Sequence, residues 1–352
     1  MVHIASGREW RGGQRQVWLL ARELARLGVP QRVVTGSRGE LARRLRADGI
    51  PLHETGWRAG LDPRALIAVR AELRRRPALL HAHDAHALTL AGLAAWRSPT
   101  ALVVTRRVDF PLQRRGFWGR ADRVIAISDA VADVLRSDGI DPARIVVVRS
   151  GIDLAQAETA SPIGIRGRLG LPAGAPLAAH LGALVPHKDQ ATLLAAAALL
   201  RPRCPDLQWA LAGEGELREH LERLRDRLGL AGRVHFLGQL AEPLGLLAEA
   251  DLLVVSSREE GLGTSVLDAM ARGIPVASTD AGGLPEMLRG GAGLLVPPGN
   301  PSALADAVER IVTEPELRRE LAGKARHEVR RFSAARMAAE VLTVYRSCAT
   351  FN

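Results

Sequence analysis

Two carboxylates stand eight residues apart in the run EEGLGTSVLDAMARGIPV, which spans Glu259 to Val276. Glu260 precedes Gly261-Leu262-Gly263-Thr264, and Asp268 lies inside the helix-like stretch that follows. A helix start leaves its first N–H groups without intrahelical partners, and the helix dipole makes that end electropositive. With glycines in the turn, the amides of Gly261, Leu262, Gly263 and Thr264 can approach a phosphate closely. Asp268 then falls roughly 6 Å along the helix from its start, at about 1.5 Å per residue. That is the span from a diphosphate to a ribose, whose diol can donate to a carboxylate. Glu260, before the turn, would face the other end of such a ligand. The same letters also suit a capping acid at 260 and a solvent-facing helix acid at 268.

Further groups have chemistry to offer. Lys188, in LGALVPHKD, is one of only two lysines in an arginine-rich chain, the other being Lys324. A compact ammonium can neutralise a diphosphate as a point charge. Gly213 and Gly215, in AGEGELREHLERL, suit close backbone approach, as does Gly12-Gly13 before a helix-like run. A tight turn would equally explain the Gly12-Gly13 pair. The segment HAHDAHA, 81–87, holds His81, His83, Asp84 and His86. It can be read as a metal cluster, as a strand end that closes in polar residues, or as His83 and Asp84 lining a site where a histidine assists a hydroxyl. Arg114, Arg115 and Arg120 flank Phe117 and Trp118. That mix suits an interfacial loop or an aromatic anchor packed on the protein.

These groups must be held by elements, and the chain supplies a repeating set. Apolar runs at 2–6, 31–36, 78–83, 101–107, 123–128 and 144–151 read as strands, with amphipathic stretches such as Gln14–Leu27, Pro63–Arg75 and Ala130–Asp138 between them. A second set runs 177–184, 207–215, 233–238, 252–257, 274–280 and 292–299. Strands alternating with helices form right-handed βαβ units and parallel sheets, which bind ligands at the carboxyl ends of their strands. The Gly- and Pro-rich stretch 158–176 separates the sets. The expected fold is α/β, with two doubly wound Rossmann-like domains facing a cleft. They would occupy residues 1–158 and 159–333, and a helix at 334–352 would return to the first domain.

Composition narrows the class. No apolar run has the length of a bilayer span, and the N-terminus lacks the basic and apolar regions of a signal peptide. A cytoplasmic protein is expected. Cys204 and Cys348 are too few for a disulfide framework or a cysteine-rich zinc site. The net charge of +10 is unevenly spread. Residues 1–158 carry 26 arginines against 16 acids, whereas the remainder holds 22 basic and 22 acidic residues. A basic half suits an acidic partner: a membrane face, an anionic lipid-linked acceptor or nucleic acid. Arginine-biased coding would also raise the charge, though not in one half alone.

The 260–286 block resembles the retaining glycosyltransferases of family four, which have the GT-B fold. Their pattern appears as Glu260-Gly261-Leu262-Gly263, Asp268-Ala269-Met270-Ala271, Gly273-Ile274-Pro275-Val276, Gly282-Gly283 and Pro285-Glu286. The likeness extends to Arg233–Gly238, Gly213–Gly215, Ser150-Gly151-Ile152-Asp153 and the N-terminal Gly-Gly, and so covers nearly the whole chain. It implies a nucleotide-sugar donor on the second domain and transfer to an acceptor hydroxyl with retained anomeric configuration. By the resemblance Glu260 meets the sugar, Lys188 and the amides at 262–264 hold the diphosphate, and Asp268 binds the ribose. Arg233–Gly238 lies near the base, and Gly13 closes on the phosphate side. Fixed donors aimed at the departing diphosphate lower the barrier. The chain has no Asp-x-Asp pair, and no metal or other cofactor is expected.

The chain departs from that pattern in three places. The second acid is Asp268 rather than Glu. Ala183 stands where the family has a phosphate-clamp arginine. Arg106, Arg107 and Asp109 replace the surroundings of a histidine near the sugar and acceptor. With His83 and Asp84 these form the acceptor-side set, and they suggest an anionic or lipid-linked glycan acceptor. Synthesis of lipopolysaccharide core or another cell-envelope glycan, at the inner face of the membrane, is the expected setting, and no nucleic-acid partner is expected. Two alternatives keep the same letters. One is a nucleotide-sugar epimerase of the same fold, which would act on donor alone. The other is a non-catalytic basic membrane or nucleic-acid binder, which no nucleotide would stabilise.

Overall fold

The computed structural model describes every residue except 8, 58, 59, 113–115 and 349–352. The chain divides into two compact units, Met1–Ile152 with Phe332–Asn352, and Asp153–Arg331.

The first unit carries seven parallel strands: β1 (Val2–Ala5), β2 (Arg32–Gly36), β3 (Leu52–Thr55), β4 (Leu79–Ala82), β5 (Ala101–Arg106), β6 (Arg123–Ala126) and β7 (Ile145–Val147). Their spatial order is β3-β2-β1-β4-β5-β6-β7. Parallel strands are covered on both faces and therefore need unbroken apolar runs. VHIA of β1 and LLHA of β4 are buried throughout. β3 is an edge strand of sequence LHET, partly exposed, with no apolar run to announce it in the sequence. The order reverses between β1 and β4, so the chain leaves their carboxyl ends in opposite directions and opens a crevice there. The segments that leave those ends carry Gly12-Gly13 and His83-Asp84.

The second unit has six parallel strands: β8 (Leu177–Leu181), β9 (Gln208–Ala212), β10 (Val234–Gly238), β11 (Leu252–Val255), β12 (Val276–Thr279) and β13 (Leu294–Val296). They lie in the order β10-β9-β8-β11-β12-β13. The switch point falls between β8 and β11, and the loops beyond it carry Lys188 and Glu260. The second sheet answers to its expected strand set, and the first does so with β3 as an additional, unexpected strand.

The first unit ends at Ile152, ahead of the expected boundary at residue 158, and helix Leu154–Thr159 belongs to the second unit. The last helix, Ala334–Arg346, belongs to the first unit and packs on helix Gly12–Arg26, with Met337, Val341, Val344 and Tyr345 entering the core beside Val17, Leu20 and Leu24. The return is pinned by backbone hydrogen bonds from Ile152 N to Phe332 O (2.9 Å) and from Ala334 N to Ile152 O (2.8 Å). Gly151 is required there, because a Cβ would sit 2.6 Å from Ser333 O.

Candidate active-site residues

In the second unit, the loops after β8 and β11 are tied together by their own polar groups. Lys188 Nζ donates to Glu260 Oε2, with side-chain exposures of 19% and 14%. Ser257 Oγ lies 3.4 Å from the same carboxylate oxygen. Ser256 Oγ donates to Lys188 O (2.9 Å), Arg258 N to His187 O (2.8 Å), and Arg258 Nε to Asp189 Oδ2 (2.7 Å). Asp189 also caps helix Gln190–Leu200 from a left-handed backbone, φ 46°. These bonds hold Lys188 and Glu260 in register although 72 residues separate them.

Below them lies a residue outside the sequence motifs. His180, in β8, is buried and donates from Nδ1 to Val254 O (3.0 Å). Its Nε2 must then accept, and Gln190 Nε2 donates to it at 3.2 Å and to Ala183 O at 2.8 Å. Burial pushes His180 down to about 4, so it is neutral near pH 7. It acts as a polar pillar under the loop at 182–184. The only signal in the sequence was a histidine inside an otherwise apolar strand.

The glycines at 213 and 215 are spent on packing within the protein. A Cβ on Gly213 would lie 1.9 Å from Gly182 O, and one on Gly215 would lie 2.3 Å from Leu184 O. Leu184 N donates to Glu214 O and Leu217 N to Leu184 O, each at 3.0 Å. Gly213 N donates to Gly238 O (2.9 Å), which brings the end of the 233–238 segment to the same corner.

The helix after Glu260 starts at Thr264, as the sequence reading expects, and runs to Arg272. Its N-cap is Gly263 at φ 82°, so no side chain caps the first-turn amides. A Cβ there would meet Leu284 Cδ2 at 2.9 Å and Glu260 Cγ at 3.5 Å. Gly283 N donates to Glu260 O (2.9 Å), so the Gly282-Gly283 turn also holds the acid. Leu262 points into the core, whereas Thr264 is half-buried. Asp268 is 4% exposed, which removes the solvent-facing reading of this acid.

In the first unit, the β1–β4 switch point opens into a cavity of about 330 Å³. Gly13, His83, Asp84, His86, Arg106 and Arg107 line it. The structure thus brings together the acceptor-side residues proposed from sequence, save Asp109, whose charge acts on Arg106 from outside the lining. Gly12 and Gly13 lie in the first turn of helix Gly12–Arg26, and Gly13 keeps a negative φ, so a tight turn is not its reason. A Cβ on Gly13 would meet only Arg107 Cδ, at 3.6 Å. Asp84 caps helix Ala85–Ala94 and accepts from Ser6 N (2.8 Å), Ser6 Oγ (2.6 Å) and Ala87 N (2.9 Å). Arg106 folds over its own loop and donates to Val108 O (3.1 Å) and Phe110 O (2.6 Å).

The histidine cluster is assembled differently from the reading of 81–87. His86 is exposed, and its place is taken by His3, which lies beside His81 in the β1–β4 register. Ligand atoms of His3, His81 and His83 lie within 4.8 Å of one another. Their nitrogens are largely committed to protein partners. His3 Nδ1 and His83 Nε2 share a hydrogen bond of 2.9 Å, His81 bonds Tyr345 Oη (2.6 Å) and Thr105 Oγ1 (2.7 Å), and Arg107 Nη2 reaches His83 Nδ1 at 3.3 Å. A metal would break these bonds and share its pocket with the Arg107 cation, so the residues fit it poorly.

Of the two readings of the aromatic loop, the anchor packed on the protein is the one that its described residues match. Trp118 is buried, with Arg106 stacked 5.5 Å from its ring, and Phe117 packs on Gly92. Among the described residues the exposed aromatic is Trp96, 52% exposed, with Arg120 4.1 Å from its ring centre. Arg114 and Arg115 lie outside the described residues.

Comparison with known proteins places these units. Residues 10–156 match the model "Glycosyltransferase Family 4", and residues 164–328 match "Glycosyl transferases group 1". The chain belongs to the GT-B glycosyltransferases. Among curated relatives, a "D-inositol 3-phosphate glycosyltransferase" of Actinosynnema mirum is 36% identical over 241 residues, covering 64% of this chain and 57% of the relative. The "Lipopolysaccharide core biosynthesis glycosyltransferase LpsE" of Rhizobium meliloti is 39% identical over 158 residues, 45% of each chain. This glycosyltransferase-family chain spans about half the length of the curated relatives it matches. In fold it resembles Anabaena HepE, solved with UDP-glucose, with a TM-score of 0.85 at 23% identity over 98% of this chain and 99% of that one. It also resembles WaaG, a glycosyltransferase involved in lipopolysaccharide biosynthesis, with a TM-score of 0.72 at 18% identity, covering 98% and 99%. Among the described residues, no helix is long and apolar enough to cross a membrane.

Proposed function

We propose that this glycosyltransferase moves a sugar from a nucleoside-diphosphate sugar to an acceptor hydroxyl, with retention of anomeric configuration. The observation that carries the reading is the Lys188–Glu260 pair, fixed at the carboxyl ends of β8 and β11 beside a helix start without a side-chain cap. A diphosphate gives Lys188 a second anion, and the amides at 262–264 add neutral donors aimed at the charge that builds as the sugar leaves. Release of Lys188 toward the diphosphate frees Glu260 to accept from sugar hydroxyls. Asp268 accepts from the ribose, and the 233–238 segment borders the base. The UDP and UDP-glucose named in the HepE structures support a donor of this class. No metal is assigned a role, since Lys188 and the amides supply the positive charge. In the first unit, His83, Asp84, Arg106, Arg107 and Asp109 form the acceptor side.

The setting we propose is cell-envelope glycan synthesis at the inner face of the membrane, with an anionic or lipid-linked acceptor. It is supported by the basic first half and by the lipopolysaccharide-core relative. A thermal-shift panel of nucleoside diphosphates and nucleotide sugars, with and without EDTA, tests the donor reading. At least one nucleotide should raise Tm, equally well with EDTA present. The absence of any shift across the panel would sink the reading, and epimer formation from donor alone would replace it with the epimerase. Retention is read by NMR of the product's anomeric proton.

A further inference from the structure

Arg107 sits at the end of β5 with its stem against Gly13 and its Nη2 3.3 Å from His83 Nδ1. A guanidinium can only donate, so His83 Nδ1 must be the acceptor. The proton of neutral His83 is therefore on Nε2, and it is donated to His3 Nδ1 at 2.9 Å. His3 then carries its own proton on Nε2, and the Gln31 side chain hydrogen-bonds the His3 ring. The relay ends inside the unit, at the Gln31 side chain. Both nitrogens of His83 are occupied, and burial holds His83, His81 and His3 below the usual histidine range. A general base needs a lone pair facing its substrate, and His83 has none to offer.

What the relay does is hold the arginine. Burial pushes Arg107 down to about 10, which leaves it charged at neutral pH. Its Nε is buried and unpartnered, a costly state for a cationic donor. The neighbouring acid cannot fully answer it, because Asp84 already accepts three hydrogen bonds from Ser6 and Ala87. Arg106 adds a second cation to the lining. The 15-residue helix from Gly12 also begins here, and no side chain caps it. At about 330 Å³ the cavity matches the lower end of small-molecule sites, on the order of 300 Å³, enough for one sugar-sized group.

We infer that this cavity is an anion-recognition subsite in which Arg107 takes a phosphate or carboxylate borne by the acceptor, and that His83 and His3 are positioning residues which carry no proton. The acceptor assignment rests on the proposed transferase reading, whereas the anion site stands on its own geometry. Arginine's planar fork suits either oxyanion. The donor diphosphate is the competing source of the same chemistry.

The test titrates sulfate, whose charge does not change near neutral pH, into the full chain at low ionic strength. It is run on free protein, on protein saturated with UDP, and on Lys188→Ala. One sulfate site should persist in all three and weaken at least tenfold in Arg107→Gln. Arg107→Lys, which keeps the charge and fills similar space, should weaken it less and keeps the proposal testable if the glutamine variant fails to fold. Glucose 6-phosphate or glucuronate should compete for the site, and glucose should not. His83→Gln should weaken sulfate severalfold and keep the wild-type shape of affinity against pH. Unchanged affinity in both Arg107 variants would overturn the subsite, as would displacement of the sulfate by UDP. An acid-side rise in affinity that disappears in His83→Gln would overturn the positioning role. Failure of UDP to bind would count against the transferase reading alone.

Discussion

Replacement of Lys188 by alanine separates what the ion pair does for the fold from what it does for the reaction. The pair is mostly buried, at 19% and 14% side-chain exposure. Without the ammonium, Glu260 loses its ion-pair partner, while Ser257 Oγ stays 3.4 Å from the same oxygen. Breaking a fully buried pair costs about 3–5 kcal/mol, and partial exposure brings this nearer to ~2 kcal/mol. In a unit of this size 1 kcal/mol moves Tm by about 2–4 °C, so a fall of roughly 4–8 °C is expected. Glu260→Gln in the same chain removes the carboxylate charge that the ammonium had balanced and should restore most of that Tm. The catalytic effect should not be restored. Loss of one fixed donor at a developing oxyanion costs about 10²–10³ in kcat. The assay is a double-mutant cycle on Lys188→Ala and Glu260→Gln, read by calorimetric Tm and by kcat at saturating donor. A kcat within about threefold of wild type for Lys188→Ala would refute the leaving-group role. Recovery of kcat alongside Tm in the double variant would refute it equally, because the pair would then act only as a strut.

Three other outcomes follow from the same geometry. Asp268→Ala should raise the KM for donor more than it lowers kcat, since ribose contacts act in ground and transition states alike; steady-state kinetics with varied donor decide it. Gly13→Ala should leave the unfolding free energy within about 1 kcal/mol of wild type, because its Cβ meets only Arg107 Cδ at an ordinary 3.6 Å, yet it should cut transfer if a ligand approaches that backbone; unchanged transfer removes Gly13 from the site. Stability should fall on acidification. His180, lowered to about 4, and His3, lowered to about 3, stay neutral when folded and take up protons when unfolded near the ordinary 6.5. Their contribution is complete above about pH 6.5 and is lost as pH drops through 6.5 toward 4 and 3. Denaturant titrations from pH 7.5 to 5 should show this slope, shallower in His180→Gln; a flat profile would mean that these rings are not held neutral.

Much of the fold could be read from the order of residues. Parallel strands buried on both faces demand apolar runs, and the inner strands β8, β9, β11 and β12 of the second sheet stood out for that reason. β3 did not, because an edge strand needs no such run, and LHET offers none. The start of helix Thr264–Arg272 was also local information, carried by Gly263 and Thr264. The meaning of Gly213 and Gly215 was not local. Their spacing suggested room for a ligand, whereas the atoms they make room for are carbonyl oxygens of Gly182 and Leu184.

The sequence alone determined which groups exist: a lysine in an arginine-rich chain, two acids around a glycine turn, and the adjacent Arg106 and Arg107. It also determined their strand-end positions, because periodicity and glycine placement act over a few residues. The tertiary structure decided the partnerships. Lys188 meets Glu260 across 72 residues, His3 meets His83 across 80, and Tyr345 reaches His81 across 264. A hydrogen bond depends on ångström-scale distance and on which nitrogen holds the proton. Neither is encoded by the spacing of residues along a chain, and each is settled only when the sheet brings the strand ends together.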